Sequence, residues 1–508
     1  MARLSKRLLT SGWRPPENLS AAGFQARPER AVQFGEGNFL RGFADWMLDV
    51  LNEQGLFDGQ VVIVQPIRTG LADVLNDQDG LYTLILRGLQ HGQARESRRL
   101  ISVVSRAINP YQDWPDVVAC FCKPELRFVL SNTTEAGIAF VDEHYVPGQT
   151  PESFPAKVAA LLHARFRALG GNPHKGLIFL PCELIDRNGA QLKAIVLKHA
   201  ADWKLGEGFC DWVRTCNHFL NTLVDRIVPG YPAADAAKLA AELGYEDRLL
   251  VVAESFHLWV IEGPPHLADE LPFHKAGLNV VWTGDLTPYR ARKVRILNGA
   301  HTASALAAFH AGLNTVPEMM EDELLGRFVR RAVFEEILPG VPLPAQEKAD
   351  YAEAVLERFR NPFIRHELLS ISLNSVSKWK VRVLPSLLDF LKAHGKLPGL
   401  LTFSLAALIH FYRGVAGSAH ELRGSRQGEP YPIRDERGVT SFFEKHWRAF
   451  ESDHDLPALV GAVLANDTFW GAGLTLLPGF RDAVTGHLQT ILLKGTRPAL
   501  TAALARQP

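Results

Sequence analysis

Residues 31–65 read as strand, glycine turn, helix, strand, and that order narrows the fold more than any other feature of the chain. Ala31–Phe34 is a short apolar run, Phe39–Asn52 carries helical spacing, and Gln60–Gln65 is a second run rich in valine and isoleucine. A unit of this size and order is a parallel βαβ crossover. Between its first strand and its helix lies Phe34-Gly35-Glu36-Gly37-Asn38-Phe39-Leu40-Arg41-Gly42. In a dinucleotide-binding turn, Gly35 makes the tight bend and Gly37 lets the backbone approach a pyrophosphate at the helix N-terminus. Leu40 stands where the third glycine of such a fingerprint is expected, with Gly42 two residues on. The second strand runs into Gln65-Pro66-Ile67-Arg68, without the acid that takes ribose hydroxyls in NAD-selective units. At this point NAD and NADP both stay open.

Further strand-like runs follow: Leu81–Leu86 and Leu100–Ala107 as a pair, then Leu126–Ser131, Gly176–Leu180 and Leu249–Val252. Strands alternating with helical patterns imply a mostly parallel sheet covered on both faces. From about Thr287 onward the pattern is helical, over Asp322–Ile337, Gln346–Phe359, Leu384–Ala393, Leu400–Tyr412 and Pro457–Leu464. The expected fold is therefore an α/β Rossmann-like domain over residues 1–285, its first 29 residues a solvated extension, and a mostly α-helical domain over 286–508. The polar, glycine-rich stretch Gly414–Gly438 is a candidate loop or lid.

Lys293, Asn298 and His301 form the most informative local pattern. On an α-helix at about 100° per residue, Asn298 lies about 140° and His301 about 80° from Lys293. All three fall on one side, and Asn298 and His301 are i, i+3 neighbours. Hydride transfer to a ketone needs a group to polarise the carbonyl and a group to deliver a proton. A desolvated lysine can deliver the proton, an asparagine amide can stabilise the alkoxide, and a histidine can bind a hydroxyl, with no metal required.

The Gly35-x-Gly37-x-Phe39-x-Arg41 turn, Asn76–Leu84, Thr133-Thr134-Glu135, Cys182 through Asn188-Gly189, Val224–Ile227 and the Lys293/Asn298/His301 set occur in this order. Together they resemble the polyol-specific long-chain dehydrogenases, the mannitol dehydrogenase family, over most of the chain. The resemblance implies NAD(H) as cofactor, held by Gly35, Gly37, Asn38, Phe39, Arg41, Thr133 and Glu135. It implies Lys293 as general acid/base, Asn298 at the oxyanion, His301 on substrate and Asp225 near the substrate or the lysine. A further basic residue is expected within Asn374–Leu384, Lys380 first and Lys378 second. In the family an Asp-Asn pair follows the cysteine; here the pair is Glu183-Leu184, so Glu183 or Asn188 is expected to stand in for the amide.

Lys+Arg and Asp+Glu each number 55, so no global charge points to nucleic acid or an acidic membrane. A sugar-acid substrate then needs a local cation, and residues 358–382 offer Arg358, Arg360, Arg365, Lys378, Lys380 and Arg382, beside Asn361 and Asn374. Each cation taken alone is more often a solvated surface charge. Five cysteines with no CxxC spacing fit free thiols in a reducing compartment, and no apolar run is long enough to span a bilayer; the expected location is the cytoplasm. A small sugar acid is the expected partner, and the oligomeric state stays open. The competing readings are a reductase or dehydrogenase of a different uronate or polyol, a metal-dependent sugar isomerase or epimerase with dispersed ligands, and a non-catalytic nucleotide sensor.

Overall fold

Valine, isoleucine and phenylalanine alternate sides along five short strands whose two faces are both buried. Ala31, Val61, Ile63, Phe128, Leu130, Ile178 and Leu180 enter one core. Val32, Phe34, Val62, Val64, Val129 and Phe179 enter another on the opposite face. Strands covered on both sides are continuous apolar runs, and helices must cover both faces. In a computed structural model of the chain, which describes residues 2–21, 25–90, 92–417 and 422–505, these runs form a parallel sheet. Its strands are β1 (Glu29–Phe34), β2 (Gln60–Val64), β3 (Val104–Ile108), β4 (Phe128–Ser131), β5 (Ile178–Pro181) and β6 (His218–Phe219). The spatial order is β3-β2-β1-β4-β5-β6, all parallel. That is the doubly wound order with its crossover reversal between β1 and β4, where ligands lie beyond the carboxyl ends of the strands.

The structure departs from the sequence reading in three places here. The run expected as one strand at Leu100–Ala107 is divided between two sheets. Gln93–Ile101 pairs antiparallel with Tyr82–Gln90 in a four-stranded sheet, while Val104–Ile108 joins the parallel one. Asn76 clamps the second piece, donating to Ala107 O and accepting from Ala107 N, both at 2.8 Å. Residues 2–21 of the expected solvated extension are tied to the first unit at two places. Leu19–Ala21 is an edge strand beside Gln93–Ile101, and Leu4 and Leu19 are buried with Leu81, Ile85, Leu239 and Tyr245. The helix expected over Phe39–Asn52 is two pieces, Asn38–Arg41 and Ala44–Glu53, broken at Gly42-Phe43. A Cβ at Gly42 would lie 3.2 Å from both Val228 and Val251. Gly42 therefore supplies the close packing that the third glycine of the fingerprint ordinarily provides.

Contacts divide the chain into two compact units, Met1–Leu286 and Thr287–Pro508. The second unit is largely helical. Its helix Gly399–Phe411 is buried on nearly every side and packs against Phe480–Lys494 and Gly299–His310. Its first turn lacks a local side-chain cap. Glu336 supplies one from a distance, accepting from Leu400 N at 2.9 Å and Leu401 N at 2.8 Å. Burial pushes the Glu336 carboxyl up to about 7.

The candidate lid at 414–438 is in part a three-stranded antiparallel sheet, Gly414–Ala416, Leu422–Arg426 and Glu429–Ile433; its residues 418–421 lie outside the described ones. Tyr431 is buried there, its hydroxyl donating to Phe411 O at 2.8 Å and lying 3.1 Å from His310 Nε2. That meander is thereby seated on the helical core. No helix among the described residues is long and apolar enough to cross a membrane.

Candidate active site

In the first unit the ends of β1, β2 and β4 surround a cavity of about 480 Å³. Gly35, Glu36 and Gly37 form one wall, Pro66 and Ile67 a second, and Asn132–Thr134 a third. Gly35 has φ +120°, and a Cβ there would stand 3.1 Å from Asn132 O, so the turn requires glycine. Gly37 is exposed and a Cβ there would meet nothing within 4 Å, which leaves its backbone open to a ligand. Burial raises the Glu36 carboxyl above its ordinary range.

The side chains of this turn do other work than the motif implies. Arg41 is buried, with Nε donating to Glu36 O at 2.9 Å, Nη2 to Asn38 Oδ1 at 2.8 Å and Nη1 to Leu249 O. Its guanidinium braces the turn. Asn38 is the partner of that brace, and Phe39 stacks on Phe43 at 5.0 Å. Three of the five N–H donors of Arg41, a residue expected at the cofactor, are thus engaged within the protein.

Opposite the glycines, Thr133 N and Oγ1 donate to Glu183 Oε1 at 2.9 and 3.0 Å, and Ser131 Oγ donates to Oε2 at 3.1 Å. Thr134 beside them has φ +68° and ψ 170°, a costly conformation for a β-branched residue. Glu183 and the bare Gly137, where a Cβ would strike Thr133 Oγ1, hold the loop in that shape. Glu135 is exposed in the following turn and is not part of the cavity wall. Arg68 ion-pairs with Glu152 and lies 4.6 Å from the Tyr111 ring. Glu152 lines the cavity with Ile67, so an acid missing from the end of β2 is present here from a remote part of the chain.

Asn188 does not stand in for a substrate-binding amide. It is fully buried, its Nδ2 within reach of Pro181 O, Glu183 O and Thr222 O, and its Oδ1 accepts from Gly189 N and Thr222 N. No polar atom is left for a ligand. Glu183 is likewise committed, to the Thr133 loop. Asp225 is buried at the end of the strand Asn221–Asp225, opposite Leu258.

In the second unit Lys293–Asn298 is a π-helical turn leading into the α-helix Gly299–His310. The uniform α-helix assumed from sequence is thus wrong over its first six residues. Bonding from i to i+5 takes about one residue more per turn, so Lys293 and Asn298 come about one turn apart along the helix instead of diverging. Such turns are rare and recur at functional sites. Lys293 and Asn298 are half-buried. The His301 ring stacks on Phe359 with centroids 3.9 Å apart and meets His366 edge-on at 5.1 Å. Its Nε2 is buried without a hydrogen-bond partner. Burial, and next the charges of His366, Arg358 and Arg382, hold its pKa well below the usual histidine range, so the ring is neutral at physiological pH.

Lys378 Nζ donates to Ile371 O at 3.0 Å, and burial lowers its pKa. Lys380 runs beside Gly471, where a Cβ would lie 3.3 Å from Nζ. Arg382 Nη1 is 3.5 Å from Thr302 Oγ1, which in turn donates to Asn298 O at 2.8 Å. Sequence reasoning ranked the two lysines above this arginine, because nothing local marks which cation faces the motif helix. Among the described residues no group of three or more His, Cys, Asp or Glu side chains is arranged to hold a metal ion.

Comparison with known proteins bears on both units. Residues 29–275 match the mannitol dehydrogenase Rossmann domain and residues 285–492 the mannitol dehydrogenase C-terminal domain. The altronate oxidoreductase of Pectobacterium carotovorum subsp. carotovorum is 47% identical over 489 residues, 95% of this chain and 99% of that protein. That of Escherichia coli O1:K1 is 47% identical over 475 residues, 93% and 96%. Among solved structures, Pseudomonas fluorescens mannitol 2-dehydrogenase in ternary complex with NAD and D-mannitol superposes with a TM-score of 0.70 at 24% identity, covering 99% of this chain and 100% of that one. Substrate-free D-sorbitol dehydrogenase gives 0.79 at 22%, covering 98% and 100%. These two likenesses carry the fold.

Proposed function

The chain belongs to the mannitol dehydrogenase family and is an oxidoreductase of CH–OH groups, and we propose that it interconverts D-tagaturonate and D-altronate with NAD(H). The observation that carries this reading is the Lys293/Asn298/His301 set on a π-to-α turn, in a chain 47% identical to altronate oxidoreductases along nearly its whole length. A bound nicotinamide supplies or takes up the hydride.

The first unit fits a dinucleotide: the open backbone at Gly37 and the glycine-only bend at Gly35 would hold the pyrophosphate. Glu152, beside Ile67, would meet the ribose hydroxyls and disfavour a 2′-phosphate, which supports NAD over NADP. In the second unit Lys293 gives its proton to the carbonyl oxygen during reduction and takes it back during oxidation. The Asn298 amide donates to the same oxygen as charge builds on it. His301, neutral and with Nε2 unpartnered, binds a substrate hydroxyl and adds no positive charge of its own.

The test is NADH oxidation, followed by nicotinamide absorbance, with D-tagaturonate, D-fructuronate and D-fructose in parallel, with and without a chelator. Chelator-insensitive turnover with tagaturonate is the expected result. Preference for fructuronate or fructose moves the substrate within the family, and dependence on a metal overturns the mechanism. Asn298→Ala is expected to lower kcat while leaving NADH affinity close to that of the wild type.

A further inference from the structure

A hexuronate differs from a neutral ketose by one carboxylate, and a chain of zero net charge must meet that carboxylate with a local cation. The cations of residues 358–382 are not equivalent in the folded chain. Arg365 is ion-paired with Glu367 at 2.7 Å. Lys378 donates to a backbone carbonyl and feels Asp435. Lys380 lies along Gly471.

Arg382 is different on three counts. It is half-buried, burial lowers its pKa, and no carboxylate of a described residue pairs with it. Its hydrogen-bond partner is Thr302 Oγ1 at 3.5 Å, and that hydroxyl is bonded to Asn298 O. Its own carbonyl oxygen would stand 3.0 Å from a Cβ at Gly299, so the end of the helix Ser375–Arg382 rests on the motif helix between Asn298 and His301.

A guanidinium drawn partly out of water without a counter-ion is costly, and it is retained where an anion completes it. Position in the last turn of a helix makes a positive charge tolerable there. It does not account for a side chain directed at Thr302 and felt by His301, whose own Nε2 lacks a partner.

We propose that Arg382 binds the substrate carboxylate and thereby sets selectivity for sugar acids over neutral ketoses. The assignment rests on the hexuronate reading above and adds the residue that enforces it. The planar fork of arginine suits two parallel bonds to a carboxylate, which lysine cannot reproduce.

The experiment is steady-state reduction of D-tagaturonate and of D-fructose with NADH by the full-length wild type, Arg382→Gln and Arg382→Lys, with melting temperatures for each. Arg382→Gln is expected to raise KM for tagaturonate about 10- to 100-fold, the size of a charged hydrogen bond, with kcat changed far less. Arg382→Lys recovers part of that loss. The tagaturonate-to-fructose ratio of kcat/KM falls by a similar factor; where fructose turnover is too slow to measure, the KM-against-kcat split and the lysine rescue decide. An unchanged KM, or equal losses on acid and neutral substrates, overturns the assignment and leaves the hexuronate reading standing. A wild type inactive on every sugar acid overturns that reading, and this assignment with it.

Discussion

The Phe34–Gly42 turn of the first unit and the Lys293–His301 segment of the second each carry a compact sequence motif, and the fold uses the two in opposite ways. In the turn, what faces the cavity is glycine and main chain, while the motif's arginine is folded inward onto Glu36 O, Asn38 Oδ1 and Leu249 O. In the helical segment, the main chain is altered to a π turn and the proposed chemistry is left to side chains, with the His301 ring wedged against Phe359. Backbone recognition needs space, so glycine and positive φ matter. Side-chain chemistry needs a controlled environment, so burial and neighbouring charge matter.

Substitutions at the two places separate these plans. The largest effect is expected at Lys293→Ala, a fall in kcat of about 10²- to 10⁴-fold with NADH binding, read by fluorescence titration, near that of the wild type. Loss of NADH binding there would break the division between the units. Gly35→Ala should do the reverse. Its φ of +120° and the 3.1 Å approach to Asn132 O add strain of about 1–3 kcal/mol. NADH affinity drops while kcat at saturating NADH is retained.

Glu183→Ala sharpens the same point from the opposite wall. It strands Thr133 N, Thr133 Oγ1 and Ser131 Oγ, at about 1–3 kcal/mol for an unsatisfied buried group. The melting temperature and NADH affinity fall together, and Glu183→Gln falls less. Equal effects of the two variants would show that Glu183 does not hold the loop by accepting hydrogen bonds.

The pH-dependent prediction concerns Asp45, buried under the turn, where Tyr82 and Gln33 donate to its Oδ2 and Oδ1 has no partner. Burial raises its carboxyl to about 7. A raised folded pKa means the folded state holds a proton that the unfolded chain has released. The resulting stability is complete below about pH 4 and is lost as pH rises to about 7, by up to roughly 1.4 kcal/mol per pH unit. Asp45→Asn lacks this dependence, so between pH 5 and 7 its melting temperature should gain on that of the wild type. A constant difference across that range would mean that Asp45 is ionised in the folded state.

Much of the architecture was legible because strand order and turn chemistry are local. Alternating apolar runs and Gly35-x-Gly37 specify a doubly wound sheet and a nucleotide crevice, and the Lys293/Asn298/His301 spacing marks one helix face. What was not legible is where a polar side chain finds its partner. Arg41 and Asn188 carry motif signatures and are held by buried carbonyls contributed by distant strands and loops. The split of Leu100–Ala107 follows from Asn76 and two competing sheets. Leu19–Ala21 finds a sheet edge that the polar residues around it do not announce.

By itself the sequence determined the class of the protein: the alternation that buries both faces of a sheet, the glycines that a tight bend requires, and a lysine, asparagine and histidine at helical spacing. Only the tertiary structure decided that Glu152 borders the crevice and Glu183 holds its Thr133 wall, that the lysine begins a π turn, and that Arg382 has no acidic partner among the described residues. Those outcomes depend on which atoms remain unsatisfied after distant segments pack. A buried donor or charge costs free energy according to its surroundings in the folded chain, and its neighbours in sequence do not set those surroundings.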